Sequence, residues 1–364
     1  MQSCCASPAV CGSHAPLTDS RRGFLQALGA LGTAALLPSC ASSAGPTGGG
    51  LIDTHHHFFA PEYQATWLGW EDQRHLPHFP TQVAWSVSRT LDEMDSGGVQ
   101  TSMLSLPSTP GLWFDQGSAT AARMAALCND YAAGMVRDHP GRFGLFATLS
   151  MLDTDTTLRE IEYVFDTLHA DGVGLQTNYG DKWPGDPQFR PIFDELNRRG
   201  ALVYFHPLVA ACCGNLSVGT FPAVLEVPHD TTRAVTSLLL NGTLARNRNT
   251  RFLFSHAGGT IPMLAGRIDY FSRFRKDIAN FAPEGIEAEF RRLFYDTANA
   301  THPAAMAALL RLVPDTQIVF GTDYPYVPTA QQAKALRELP LSSKQIAQIE
   351  RGNAQALIKR LGIG

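Results

Sequence analysis

The stretch Leu51-Ile52-Asp53-Thr54-His55-His56-His57-Phe58-Phe59 decides how the rest of the chain is read. An apolar pair leads into three histidines at what reads as the end of a strand. Side chains alternate across a strand, so His55 and His57 share one face and His56 takes the other. Two imidazoles about 7 Å apart at Cα can converge on one cation, because each ring reaches inward. Neutral imidazole is the commonest protein ligand for transition-metal ions. A pair of partly exposed histidines at a strand end is the competing reading. The flanking sequence has to decide between them.

Working outward, short apolar runs recur down the chain. They are Leu51–Thr54, Thr101–Leu106, Arg142–Leu149, Gly172–Thr177, Ala201–Phe205, Arg251–Ser255, Leu293–Thr297 and Gln317–Gly321. Continuous apolar strands bounded by turn residues suit a parallel sheet buried on both faces. Segments of helical period lie between them: Ala119–Arg137, Asp155–Leu168, Pro187–Arg199, Thr231–Arg246, Pro303–Leu312 and Ser342–Leu361. Asp155-Thr156-Thr157 reads as a cap region for the second of these. Eight strands alternating with helices predict a single-domain (β/α)8 TIM barrel over 51–364. A doubly wound open sheet is the runner-up, but no glycine-rich phosphate loop follows the first strand.

Residues 1–50 have a different character. Arg21-Arg22 precede the apolar run Ala27–Leu37, which reads as a twin-arginine-type export signal. That run is too short and too glycine-rich to span a membrane. Leu37-Pro38-Ser39-Cys40 resembles a lipoprotein box in which Cys40 would carry lipid, while Ser42-Ser43-Ala44 offers ordinary cleavage. Residues 42–50 form a Gly/Ser/Pro linker that can bury nothing. The expectation is export to the periplasm, or lipid anchoring to a bacterial envelope through Cys40. Four of the seven cysteines fall in this leader, and the remaining Cys128, Cys212 and Cys213 suggest no disulfide framework. With a net charge of -4 the chain has no basic excess, so a nucleic-acid partner has no electrostatic support.

Barrel active sites sit at the C-terminal ends of the strands. His55 and His57 end the first strand, Asn178 follows the fourth, and His206 ends the fifth. His256 ends the sixth, Asp296 lies on the seventh, and Asp323 follows the eighth. Any one of these residues could be a loop hydrogen bond or a helix cap. Four histidines and an aspartate collecting at one mouth are hard to explain that way.

The motifs Asp53-Thr54-His55-His56-His57, Phe205-His206-Pro207, Ser255-His256-Ala257-Gly258-Gly259 and Gly321-Thr322-Asp323-Tyr324-Pro325 occur in order at those strand ends. Together they resemble the amidohydrolase superfamily, and within it the aminocarboxymuconate-semialdehyde decarboxylase group of metal-dependent aromatic-acid decarboxylases. Gly180-Asp181-Lys182-Trp183, Glu195–Arg199 and Gly352-Asn353-Ala354 add to the likeness, which is similar in particular to the 6-methylsalicylate decarboxylase branch. The resemblance implies that His55, His57, His206 and Asp323 hold one divalent metal, zinc or alternatively manganese. It implies that His256, with Asp323, handles protons. It also implies a homodimer, in which Arg267 can enter a neighbouring subunit's site and bind a substrate carboxylate; a helix-surface salt bridge is the rival reading.

Two departures sharpen the expectation. Gly174-Leu175-Gln176 stands where binuclear relatives place a bridging carbamylated lysine, which argues for one metal. Residues 63–88 lack a clear counterpart to the other substrate-binding arginine of the namesake decarboxylase; Arg74 and Arg89 are the nearest candidates. The substrate expected is therefore a small hydroxylated aromatic acid, with Phe58, Trp183 and Tyr324 as pocket aromatics. A mononuclear metal with an open position can take a carboxylate and an ortho hydroxyl together, which suits non-oxidative decarboxylation. A lactonase-like hydrolase or a hydratase is the alternative chemistry.

Overall fold

The computed structural model describes residues 49–76, 78–107, 116–210 and 219–362. The segment read as an export leader and the Cys212-Cys213 pair lie outside the described residues. Among the described residues, no helix is long and apolar enough to cross a membrane, and Cys128 is a buried free thiol.

Eight parallel strands follow one another around the sheet in chain order. They are β1 (Leu51–His57), β2 (Val99–Ser105), β3 (Phe143–Thr148), β4 (Gly172–Gln176), β5 (Leu202–His206), β6 (Arg251–Phe254), β7 (Phe294–Asp296) and β8 (Ile318–Val319). Backbone bonds join last strand to first: Thr54 N–H donates to Phe320 O, Asp323 N–H to His55 O and His57 N–H to Tyr324 O, each at 2.9 Å. The expected barrel is present. β7 and β8 are shorter than the apolar runs suggested, because both segments leave the sheet to form the loops of the barrel mouth.

Outside the staves lie α1 (Pro61–Gln73), α2 (Val87–Gly97), α3 (Ser118–Asp138), α4 (Thr154–Glu162), α5 (Arg190–Arg198), α6 (Pro222–Leu240), α7 (Ile261–Ser272), α8 (Pro303–Leu312) and α9 (Thr329–Arg337). Three helical expectations change. The carboxylate capping α4 is Asp153, which accepts Thr156 N–H at 2.9 Å, so the cap lies upstream of Asp155. The α6 helix starts earlier than Thr231 and tolerates Pro228 inside it, stopping at Leu240 before a separate turn over Thr243–Arg246. The segment 342–361 is several short turns rather than one helix, opened by a capping box between Ser342 and Gln345.

Two layers of packing explain the patterns. One cluster fills the space between staves and helices, with Phe58, Trp67, Phe143, Phe205 and Phe254 among its members. A second fills the barrel's inside: Ile52, Met103, Phe146, Leu202, Tyr204, Leu253 and Val319, with Ala354, Leu357 and Ile358 of the C-terminal segment packed against them. Leu202, Tyr204 and His206 alternate inward along β5 as the strand period requires. On β1 the parity changes. Asp53 pairs with Ser102 and His56 with Leu104, so three steps on β1 oppose two on β2. That extra residue is a β-bulge, and it lets both Ile52 and His55 face inward.

Candidate metal centre

The C-terminal ends of β1 and β5 and the loops after β6 and β8 bring five side chains to one point. His55 Nε2 and His57 Nε2 are 3.2 Å apart. Asp323 Oδ1 lies 3.1 Å from His55 Nε2, 3.2 Å from His57 Nε2 and 3.9 Å from His206 Nε2. Its other oxygen, Oδ2, faces a different pair: His256 Nε2 at 3.3 Å and Asn299 Nδ2, which donates at 2.6 Å. One donor atom each of His55, His206, His256 and Asp323 all lie within 4.8 Å of one another, and all four residues are buried. His57 joins them through its contacts to His55 and Asp323.

Hydrogen bonds on the far side of each ring set what the near side offers. His55 Nδ1 meets Asp296 Oδ2 at 2.8 Å and His57 Nδ1 meets the carbonyl of Ser105 at 3.2 Å. A carboxylate and a carbonyl only accept, so each Nδ1 carries the proton and each neutral ring turns a bare Nε2 lone pair inward. Two such lone pairs and a carboxylate oxygen within about 3.2 Å repel one another unless a cation lies between them. Both ring nitrogens of His206, also buried, have no hydrogen-bond partner among the described residues. These residues fit a divalent cation: neutral imidazoles with free lone pairs, an ionised carboxylate, and outer partners that fix the tautomers.

The ionisation states differ between the rings. Burial holds His57 and His206 below the usual histidine value, His206 far below it, and neighbouring imidazoles add to the effect. Burial opposes the charge on Asp323, yet His55 and the neighbouring imidazoles of His206 and His256 keep its carboxyl well below the usual range. For His55, burial is outweighed by Asp296 and Asp323, which lift it to about 10, so its Nε2 must give up a proton for a cation to take the centre. The pocket thus favours positive charge at its centre.

The scaffold is built to hold this arrangement. Asp296 Oδ1 accepts the backbone N–H of His256 at 2.9 Å and of Ala298 at 3.0 Å. Asp53 accepts the N–H and hydroxyl of Thr322, tying β1 to the loop that carries Asp323, and takes His56 Nδ1 at 2.9 Å. A Cβ on Gly321 would lie 2.8 Å from that of His55, so only glycine lets this loop pass so close. His256, Ala257, Asn299 and Asp323 all have positive φ, between 53° and 66°. Such left-handed backbone in non-glycine residues is stored strain of the kind found at functional sites.

The sequence-derived residues are distributed as follows. His55, His57, His206, His256 and Asp323 come together. His56 points away and stacks on Tyr324 at 4.7 Å, as strand alternation required, which takes the Tyr324 ring into that packing. Phe58 is buried and stacked on Tyr131 at 6.4 Å in the outer core. Trp183 is half-buried in the turn after β4, where its carbonyl accepts Asp186 N–H. Asn178 donates to Leu208 O and so braces the loop after β5. Arg267 is exposed on α7, its guanidinium 4.7 Å from the centre of the Phe271 ring. It lines a groove of ≈ 470 Å³ with Thr232, Leu264 and Arg275, outside the histidine cluster. Sequence reasoning did not single out Asn299, Asp53 or Tyr326, whose ring meets His57 edge-on at 5.7 Å and whose hydroxyl is held by Gln82.

The family model described as Amidohydrolase matches residues 52–360. Decarboxylase yanB of Aspergillus niger is 34% identical over 325 residues, covering 84% of this chain and 85% of that protein. The 6-methylsalicylic acid decarboxylase of Penicillium expansum is 31% identical over 325 residues, covering 85% and 96%. Among solved structures, dihydroxybenzoic acid decarboxylase from Polaromonas, with bound manganese and the inhibitor 2-nitroresorcinol, superimposes with a TM-score of 0.74 at 21% identity, covering 86% of this chain and 98% of that one. The chain belongs to the amidohydrolase family. Within it, the chain falls in the aminocarboxymuconate-semialdehyde decarboxylase-like group, on the branch that includes the 6-methylsalicylic acid decarboxylases.

Proposed function

We propose that this protein catalyses metal-dependent, non-oxidative decarboxylation of a hydroxylated aromatic carboxylic acid of the 6-methylsalicylate or hydroxybenzoate type. One observation carries the division of labour: the two oxygens of Asp323 face different neighbours. Oδ1 faces His55, His57 and His206, while Oδ2 faces His256 and Asn299. The first set would hold one divalent metal, which we assign as zinc with manganese as the alternative. When bound, that ion polarises the substrate's carboxylate and neighbouring oxygen. His256 and Asp323 Oδ2, 3.3 Å apart, would form the proton-handling side. As carbon dioxide leaves, the ring carbon needs a proton, and His256 Nε2 is placed to deliver it. Asn299 holds Oδ2 in place, and the backbone bond from His256 to Asp296 fixes where that imidazole starts.

The working assembly is a homodimer. On and just beyond α7, Met263, Tyr270, Phe271 and Phe274 are 51–76% exposed, an apolar face suited to a second copy of the chain. Arg267 lies on the same helix and is free to act in the partner's site. Export rests on Arg21-Arg22 and the apolar run after them, with Cys40 as the candidate lipid anchor. The deciding experiment incubates metal-analysed enzyme with a panel of hydroxybenzoates and measures carbon dioxide and the phenol formed. Stoichiometric release of both is expected. Turnover of lactones without carbon dioxide release would replace the decarboxylase reading with hydrolysis.

A further inference from the structure

At the end of the barrel opposite the histidines lies a second cavity, of ≈ 220 Å³, lined by Phe165, Asp171, Arg199, Arg251, Lys359 and Arg360 among others. Four of these six carry positive charge. Two of the four are already neutralised. Arg199 is held by Asp166 at 2.7 and 3.0 Å and by Glu195 at 2.6 Å. Arg360 is held in a fork by Asp171 at 2.7 and 3.0 Å, and Asp171 is saturated by a further bond from Leu145 N–H at 2.9 Å.

The other two cations have no carboxylate among the described residues. Arg251 is half-buried at the start of β6, and its guanidinium donates only to the carbonyls of Gly200, at 3.3 Å, and Leu357. Carbonyl partners satisfy N–H groups but leave the charge uncompensated, which is costly for a partly desolvated ion. Burial accordingly pulls the Arg251 guanidinium below the usual arginine value. Lys359, exposed on the C-terminal turn, opens onto the same cavity. A planar fork and a mobile point charge, with room between them for more than a single water, are the elements of an oxyanion site.

We propose that this cavity binds a small phosphate group, free or as a phosphomonoester, between Arg251 and Lys359. The site shares no residue with the metal centre. Its walls are the starts of β5 and β6 and the C-terminal segment whose Leu357 and Ile358 pack inside the barrel. Occupancy therefore ties the end of the chain to the base of the staves and raises the melting temperature by linkage.

The test uses the full, metal-loaded protein. Melting temperature and calorimetric binding are measured with inorganic phosphate and with glycerol phosphate, against sodium chloride at matched ionic strength. A saturable rise beyond that of chloride is expected, and the tighter of the two ligands identifies a free or an esterified phosphate. Lys359→Gln should weaken phosphate binding about tenfold and Arg251→Gln more, as loss of charge-assisted hydrogen bonds predicts. Decarboxylation without phosphate should stay near wild type in Lys359→Gln, which keeps the test valid if Arg251→Gln folds poorly. The proposal is overturned if phosphate does no more than chloride. It is equally overturned if both variants bind phosphate undiminished, which would place the anion at the metal centre.

Discussion

Asp296 and His55 are locked together: the carboxylate takes His55 Nδ1 at 2.8 Å and so dictates which nitrogen faces the site. The same carboxylate fixes the main chain of His256. Replacing it with asparagine offers His55 an N–H in place of an acceptor, and the favoured tautomer is lost. Asp296→Asn should lower metal affinity about 10–100-fold while the barrel still melts cooperatively. Chelator competition measures this, and an unchanged affinity would remove Asp296 from the outer support of the site.

His256 is predicted to carry protons and not to hold the ion. Asparagine tolerates left-handed backbone, so His256→Asn can keep the φ of 54° at this position. Metal content and melting temperature should stay near wild type while turnover falls roughly 10²–10⁴-fold. Metal loss in parallel with activity would make His256 a ligand, as its place within the 4.8 Å group allows. Near-normal turnover would sink the catalytic role.

Asn299 faces the same carboxylate oxygen. In Asn299→Asp the shape is kept but the donor at 2.6 Å becomes a second carboxylate. Like charges so close favour protonation of one of the pair. The acid limb of the rate profile should move upward by about one pH unit, with Asn299→Gly giving a smaller effect or none. A coincident profile for Asn299→Asp and wild type would show that Oδ2 does not depend on this contact.

Far from the site, Glu195 gives a stability prediction with a definite sign. Hydrogen bonds from Arg198 and Arg199 pull its carboxyl down to about 2. A group depressed on folding stabilises above its unfolded value, about 4.3 for glutamate. That stability is lost as pH falls toward about 2. Glu195→Gln should cost roughly 1 kcal/mol at pH 7 after allowance for solvent screening. The difference from wild type should shrink below about pH 4 and close only as pH falls through about 2 in denaturant titrations. A gap independent of pH would mean that packing, not charge, is what the substitution removes.

Export makes a prediction of its own. Arg21→Lys with Arg22→Lys should leave the chain uncleaved in the cytoplasm. If wild type is recovered there with its leader intact, the export reading fails.

Which parts of this were legible in the sequence follows from what a strand reveals. Apolar runs of the right length located all eight staves, and histidines at their ends located the mouth. Alternation correctly sent His56 away from His55 and His57. What it could not show was the bulge after Asp53, because an extra residue leaves no compositional trace, yet it is the bulge that turns those two rings inward. Asn299 escaped for a similar reason: an asparagine in a Thr-Ala-Asn-Ala turn carries no ligand spacing, and its left-handed backbone is set by tertiary contacts. Phe58 was read as a pocket aromatic because hydrophobicity does not say which side of a stave a ring packs on. Its neighbour Tyr131 comes from α3, 73 positions later (131 − 58).

The order of the staves has a consequence for assembly. His57 and Asp323 are 266 positions apart yet sit side by side where the circle of strands shuts. A cation gripped by both would act as a clasp across that seam, engaging only when the final stave has arrived. A chain truncated before Asp323, or paused with its last stave undocked, would keep the three histidines but lack the carboxylate that faces them, and would hold the ion weakly. Metal content per molecule would then count completed circles, and chelation would loosen the seam first, exposing β1 and β8 to hydrogen exchange ahead of the other six staves.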